Sequence, residues 1–179
     1  MAPGCGSCAR PRFNLILEDV LPDVKVVVAR IGELTKPEGP GGAFGLLHVE
    51  TNRFFIKPTI VCSPTAGKEQ KYLQYCPEKA LRLRRMYLEH GHMLSAQSRD
   101  PDAEQYGGAV CDGIYIWSFS GLPEFGDETA MLLSAQRAGQ MTWGTAEHLA
   151  RLSGNDVLKN EMFFDPFWEN RRSRRQRRR

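Results

Sequence analysis

The apolar positions of this chain fall into alternating runs and helical stripes. Tyr106–Cys111 and Ile114–Ser120 suit paired strands joined at Asp112-Gly113, a dipeptide that accepts the positive φ of a two-residue hairpin turn. That turn would set Gly108 across from Trp117. Tyr115, Trp117 and Phe119 alternate with Ile114, Ile116 and Ser118, so both faces of the second strand can pack. A helix should follow, with Pro123 in its first turn, Glu124, Asp127 and Glu128 at its positive end, and Gly139 closing it. Ala43–Glu50 and Arg53–Val61 make a second hairpin turning at Thr51-Asn52, and Pro58 means that its second strand is a sheet edge there or ends near it.

Other segments carry weaker patterns. Within Asn14–Glu33, a short helical turn over Leu15–Leu21 leads to a first strand through Val24, Val26 and Val28, with Val27 and Ile31. Pro77–His90 predicts a helix whose stripe is Ala80, Leu83 and Tyr87, widened by Leu81 and Leu88, with Gly91 as its stop. Arg82, Arg84 and Arg85 would mostly face water. Trp143–Leu152 reads as a short amphipathic helix capped by Thr142 or Thr145 and stopped by Gly154. Beyond it, Met162, Phe163, Phe164, Phe167 and Trp168 should fold back on the body.

This order of hairpins and helices implies an α+β fold: an antiparallel β-sheet with helices packed on it. A single domain would span residues 12–168, between a flexible N-terminus (1–11) and an arginine-rich disordered tail (169–179).

Composition narrows the class without naming a function. The chain of 179 residues is 41% hydrophobic and 25% charged, as in an ordinary globule. No apolar run approaches the roughly 18 residues of a membrane helix, and the N-terminus lacks the apolar centre of a secretory signal. Those features point to an intracellular protein, cytoplasmic or nuclear. Five cysteines suit free thiols, with Cys62, Cys76 and Cys111 as small hydrophobes. Cys5 and Cys8 form a C-x-x-C pair with no second pair at zinc spacing. The net charge of +3 conceals an asymmetry. The last nine residues hold seven of the 24 basic residues, leaving 17 against 21 acids in the body.

Candidate chemistry is sparse. His48-Val49-Glu50 has the H-x-E of zinc deaminases but lacks the P-C-x-x-C that holds their metal, so it reads as a strand histidine and a turn glutamate. His90 and His92 flank a helix end, where they can either cap carbonyls or converge on a metal or porphyrin. Ser120 sits in no nucleophile elbow. Asp127 and Glu128 splay apart on a helix and suit acid–base work poorly. No catalytic constellation results. A strand running through Ser120-Gly121 into a helix start offers free amides to an anion, while Glu124, Asp127 and Glu128 compete for the same field.

Gly107-Gly108, Asp112-Gly113 before Ile114-Tyr115-Ile116, Ser120-Gly121, and Asp127-Glu128 entering a helix together resemble the GlcG/HbpS-like group, the haem-degrading-type domain family. Lys79-Ala80 occupies a compatible place in the preceding helix. The likeness covers Pro77 to Gly139. It departs where that family's glycine-rich strand is replaced by Tyr115-Ile116-Trp117-Ser118-Phe119, and its small-residue N-terminal hairpin has no clear counterpart. The resemblance implies a non-catalytic or weakly catalytic small-ligand domain, with haem or another tetrapyrrole as the ligand class. Its site would lie at Gly107, Gly108, Ser120, Gly121, Glu124, Asp127 and Glu128, with His90 and His92 as helpers, and a homo-oligomer is compatible with it.

The alternative is a structural or interaction protein that holds RNA or another polyanion through Arg171, Arg172, Arg174, Arg175, Arg177, Arg178 and Arg179. Such a run binds phosphates by releasing counterions and can also act as a nuclear-import address.

Overall fold

Strand β4 (Tyr115–Ser120) lies inside a four-stranded antiparallel sheet and is covered on both faces, as its two alternating apolar sets require. In the computed structural model, which describes Leu15 and residues 17–158, the sheet order is β2-β1-β4-β3. Here β1 is Gly42–His48, β2 is Arg53–Val61 and β3 is Ala109–Cys111. Helix α1 (Leu17–Thr35) precedes the sheet, and α2 (Glu69–His90) joins its two hairpins. Helices α3 (Glu124–Arg137) and α4 (Trp143–Ser153) close the order. The fold is α+β. Among the described residues no helix is long and apolar enough to cross a membrane. Cys5, Cys8, the aromatic cluster after Leu158 and the arginine tail lie outside the described residues.

The two faces of the sheet carry separate cores. Leu47, Ala109, Cys111 and Ile116 pack with Ala80 and Leu83 of α2. On the other face Phe44, Leu46, Val110, Trp117 and Phe119 join the buried residues of α1, α3 and α4. Helix α3 is the most enclosed: every residue from Gly126 to Arg137 is buried.

Five expectations are corrected. The stretch read as a strand is helix α1. Val20, Val24, Val27, Val28 and Ile31 are buried at helical spacing, while Val26 is exposed. Each such burial contributes about 1.5–3 kcal/mol, which outweighs the roughly 0.7 kcal/mol at most that a β-branched residue costs a helix. Helix α2 begins at Glu69, eight residues before the expected Pro77, which sits inside it. Pro77 forfeits only the bond to the carbonyl of Leu73, on the exposed side. Leu81 and Leu88 do not widen the buried stripe; they are exposed.

Arg82 does not face water; it is buried. Finally, the central hairpin is shifted by two residues. Val110, not Gly108, lies opposite Trp117. Asp112 decides that register. Its Oδ1 accepts the amides of Ile114 and Tyr115, at 2.8 and 2.7 Å, and its Oδ2 accepts Trp117 Nε1 at 2.8 Å. The turn therefore centres on Gly113, at φ 97°, and Ile114.

Two strand ends are shorter than the pattern suggests: β3 starts at Ala109, not Tyr106, and β1 stops at His48, with Val49 and Glu50 in the turn. Thr142 caps α4 by accepting the amide of Thr145, and Gly154 ends it in the left-handed region. Gly91 ends α2 in the same way. Pro58 lies on the edge strand β2.

Candidate functional site

The start of α3 gathers several of the predicted site residues into a buried polar junction. Lys79, in the middle of α2, reaches Asp127 at the start of α3. Its Nζ donates to Asp127 Oδ2 at 2.8 Å and to the carbonyl of Phe119 at 3.0 Å. Both side chains are 3% exposed. Asp127 Oδ1 accepts the amide of Leu122 at 2.8 Å, and the Gly121 amide also bonds to this carboxylate. Burial pushes Asp127 up to about 6, against the lowering influence of the Lys79 ammonium and those two amides.

Two glycines permit the junction. Gly108 stands at φ 108°, and a Cβ there would lie 2.6 Å from Asp127 Cβ and 2.9 Å from Lys79 Nζ. A Cβ on Gly121 would lie 2.2 Å from the carbonyl oxygen of Gly41. Ser120 is buried beside them. Gly107 donates its amide to Glu124 Oε1 at 2.7 Å, and Glu124 also takes Arg99 Nε through both oxygens.

Glu128 turns away from this junction toward the end of α4. It accepts the Ser153 hydroxyl, and Asn155 Nδ2 at 3.0 Å. Burial raises its pKa, and these two hydrogen bonds partly offset the rise. Asn155 is itself buried, and also donates to the carbonyl of Phe125 and to Thr129. The three acids at the start of α3 are thus already matched with donors from the chain, as are the amides of Gly107 and Leu122.

What remains open is a cleft of about 630 Å³ against the same helix start. Pro123, Glu124, Phe125 and Gly126 form one wall. Ala96, Gln97 and Arg99, from the loop after α2, form another. Thr35 at the end of α1 and Leu152, Ser153 and Val157 around the end of α4 complete it. Phe125 and Leu152 are 42% and 54% exposed, so the cleft presents apolar surface to solvent. Of the predicted site residues only Glu124 lines it.

His90 and His92 stand apart from the junction. Their rings are 5.6 Å apart, and His90 lies 3.7 Å from Glu89. His90 is eleven residues beyond Lys79 on α2, roughly 16 Å along the helix axis. Neither histidine lines the cleft. Among the described residues no group of three or more metal-ligating side chains converges. Burial pushes the thiols of Cys76 and Cys111 up to about 12, so neither supplies a thiolate near neutral pH.

Sequence reasoning missed Arg82, which organises the loop walling the cleft. Its guanidinium donates to Glu78, to the carbonyls of Ser95, Ser98 and Tyr106, and to the Ser98 hydroxyl, all within 3.0 Å. The available signal was its place on α2: Lys79 and Ala80 precede it and Leu83 follows, all buried. No protein-family model matches the chain, and no curated protein or solved structure matches it either.

Proposed function

We propose that this domain binds a small ligand without transforming it, in the cleft at the start of α3. The observation that carries this reading is the cleft itself. Its volume of about 630 Å³ lies within the usual range for small-molecule sites. Its exposed apolar residues, Phe125 and Leu152, stand beside a few polar ones, Gln97, Arg99 and Glu124. Such a lining suits a flat, mainly apolar molecule carrying a carboxylate, which would meet the terminal nitrogens of Arg99 that its Nε bonds to Glu124 leave open.

A tetrapyrrole, the class suggested by the GlcG/HbpS-like resemblance, has that chemistry. The lining contains no His, Cys, Met or Tyr, so no lining residue would ligate a haem iron in the usual way. The ring and its carboxylates fit this lining better than the metal does. Hemin and iron-free protoporphyrin, titrated separately and followed by absorbance, should therefore bind with similar affinity. Phe125→Ala should weaken both by about tenfold or more, from the apolar contact it removes. Flat titrations with both compounds would overturn the reading.

The second reading, a polyanion-binding protein, is favoured by the seven arginines of the tail. If they neutralise about five to seven phosphates, RNA affinity should fall with log salt at a slope of roughly −3.5 to −5. Deleting Arg171–Arg179 should remove the larger part of that dependence. An unchanged slope after the deletion would count against the tail as the contact.

A further inference from the structure

At the His48 end of β1, three aromatic rings from β1, β2 and β4 meet on one face of the sheet. His48 lies across from Arg53 of β2 and from Tyr115 of β4, which puts all three on one face. The His48 and Phe55 rings are stacked, with centroids 5.1 Å apart and planes 18° from parallel. Tyr115 meets His48 edge-on at 5.4 Å and Phe55 at 5.6 Å. His48 Nδ1 is held by the amide and hydroxyl of Thr51, which orients the imidazole.

Phe55 owes its position to a slip in register. Leu47 pairs with Phe54 and Leu46 with Ile56, so Phe55 is the extra residue of a bulge on an edge strand. It is 43% exposed although two rings pack against it. Arg53 and Lys57, two residues to either side of it, are also exposed. Neither is engaged by an ion pair or hydrogen bond among the described residues. Asp112, close to Tyr115, has its carboxylate occupied by two backbone amides and Trp117 Nε1.

We propose that this aromatic rim is a stacking site for single-stranded nucleic acid, with Phe55 as the platform for a base. Arg53, paired with His48 on the same face, takes an adjoining phosphate. Stacking on an exposed ring beside an unpaired cation binds bases with little sequence preference. A purely apolar protein partner would leave the Arg53 cation desolvated and unmatched, whereas a nucleic-acid strand supplies the rings and the anion together. The site is independent of the arginine tail, which would grip phosphates whatever bases they carry.

The test uses the full chain and fluorescence anisotropy, with a short labelled single-stranded RNA, the same strand without bases, and its duplex. Phe55→Ala should weaken binding of the strand by roughly 5–150-fold, the equivalent of one stacked base, and leave the salt slope and the duplex affinity unchanged. The unmodified protein should bind the abasic strand about as weakly as Phe55→Ala binds the intact one. Arg53→Ala should instead reduce the magnitude of the salt slope by about 0.7. Phe55→Trp should retain affinity and Phe55→Leu should lose it, which separates stacking from bulk if the alanine variant folds poorly. Equal affinity for intact and abasic strands overturns the proposal, as does an unaltered strand affinity in both Phe55→Ala and Phe55→Leu.

Discussion

The Lys79–Asp127 junction and the Phe55 rim are both built from charged groups beside aromatic strands, yet they stand in opposite states. At the junction, ammonium and carboxylate are 3% exposed and meet at 2.8 Å, with backbone partners on each. At the rim, Arg53 and Lys57 stay in water and Phe55 keeps much of its ring exposed. A buried charge must be matched within the chain or it destabilises the fold, whereas an exposed one can wait for an external partner. The glycines and acids at the start of α3 therefore serve the fold at the junction, and the surfaces left open to a partner are the cleft and the rim.

The contrast is broken most severely at the junction. Asp127→Ala would leave the Lys79 ammonium buried and unmatched, and should destabilise the fold by about 3–5 kcal/mol in urea denaturation. The double substitution Lys79→Met, Asp127→Leu should recover most of that loss. No recovery would mean that the carboxylate matters chiefly for the Leu122 and Gly121 amides. Arg82→Ala comes next, because it strips partners from the carbonyls of Ser95, Ser98 and Tyr106 at once. A loss of about 2–4 kcal/mol is expected, with faster amide exchange concentrated in residues 95–106.

The pH response of the junction has a definite sign. Asp127 is raised from 3.8 to about 6, so the folded state favours its protonated form. Its contribution is complete below the unfolded value and is lost as pH rises through about 6. The stability of the unmodified protein relative to Asp127→Asn should thus fall by about 1–3 kcal/mol between pH 4 and pH 7. A difference that stays flat or grows with pH would show that the pairing with Lys79 outweighs burial. The smallest effect on stability belongs to the open surfaces. Phe125→Ala and Phe55→Ala should each change stability by about 0.5 kcal/mol or less, because both rings are more than two-fifths exposed. A large loss at either would mean that the ring belongs to the core and not to a binding surface.

Much of the sheet was legible because its pattern is local. The alternation through Tyr115–Ser120, the turn between β1 and β2, and the threonine and glycine that bound α4 need only neighbours in sequence. Helix α1 was not legible as a helix. Val24, Val26 and Val28 alternate as a strand does, and the deciding fact is that Val24, Val27, Val28 and Ile31 are buried against α3 and the sheet while Val26 is not. The candidate site was partly legible. The glycines and acids near α3 do gather, but their bonds run to Lys79, Arg99, Ser153 and Asn155, at distances in sequence that no spacing rule spans.

By itself, the sequence determined the fold class, the two hairpins, the helix stops at Gly91 and Gly154, and the segregation of arginine into the tail. Those follow from backbone geometry and from the period of apolar positions, which act over a few residues. Only the tertiary structure decided which charges are consumed and which remain available. Arg82 and Arg53 cannot be told apart as residues, but one is enclosed by a loop whose carbonyls it satisfies and the other lies on an open strand edge. The distinction rests on desolvation, a property of everything packed around a group and not of its place in the chain.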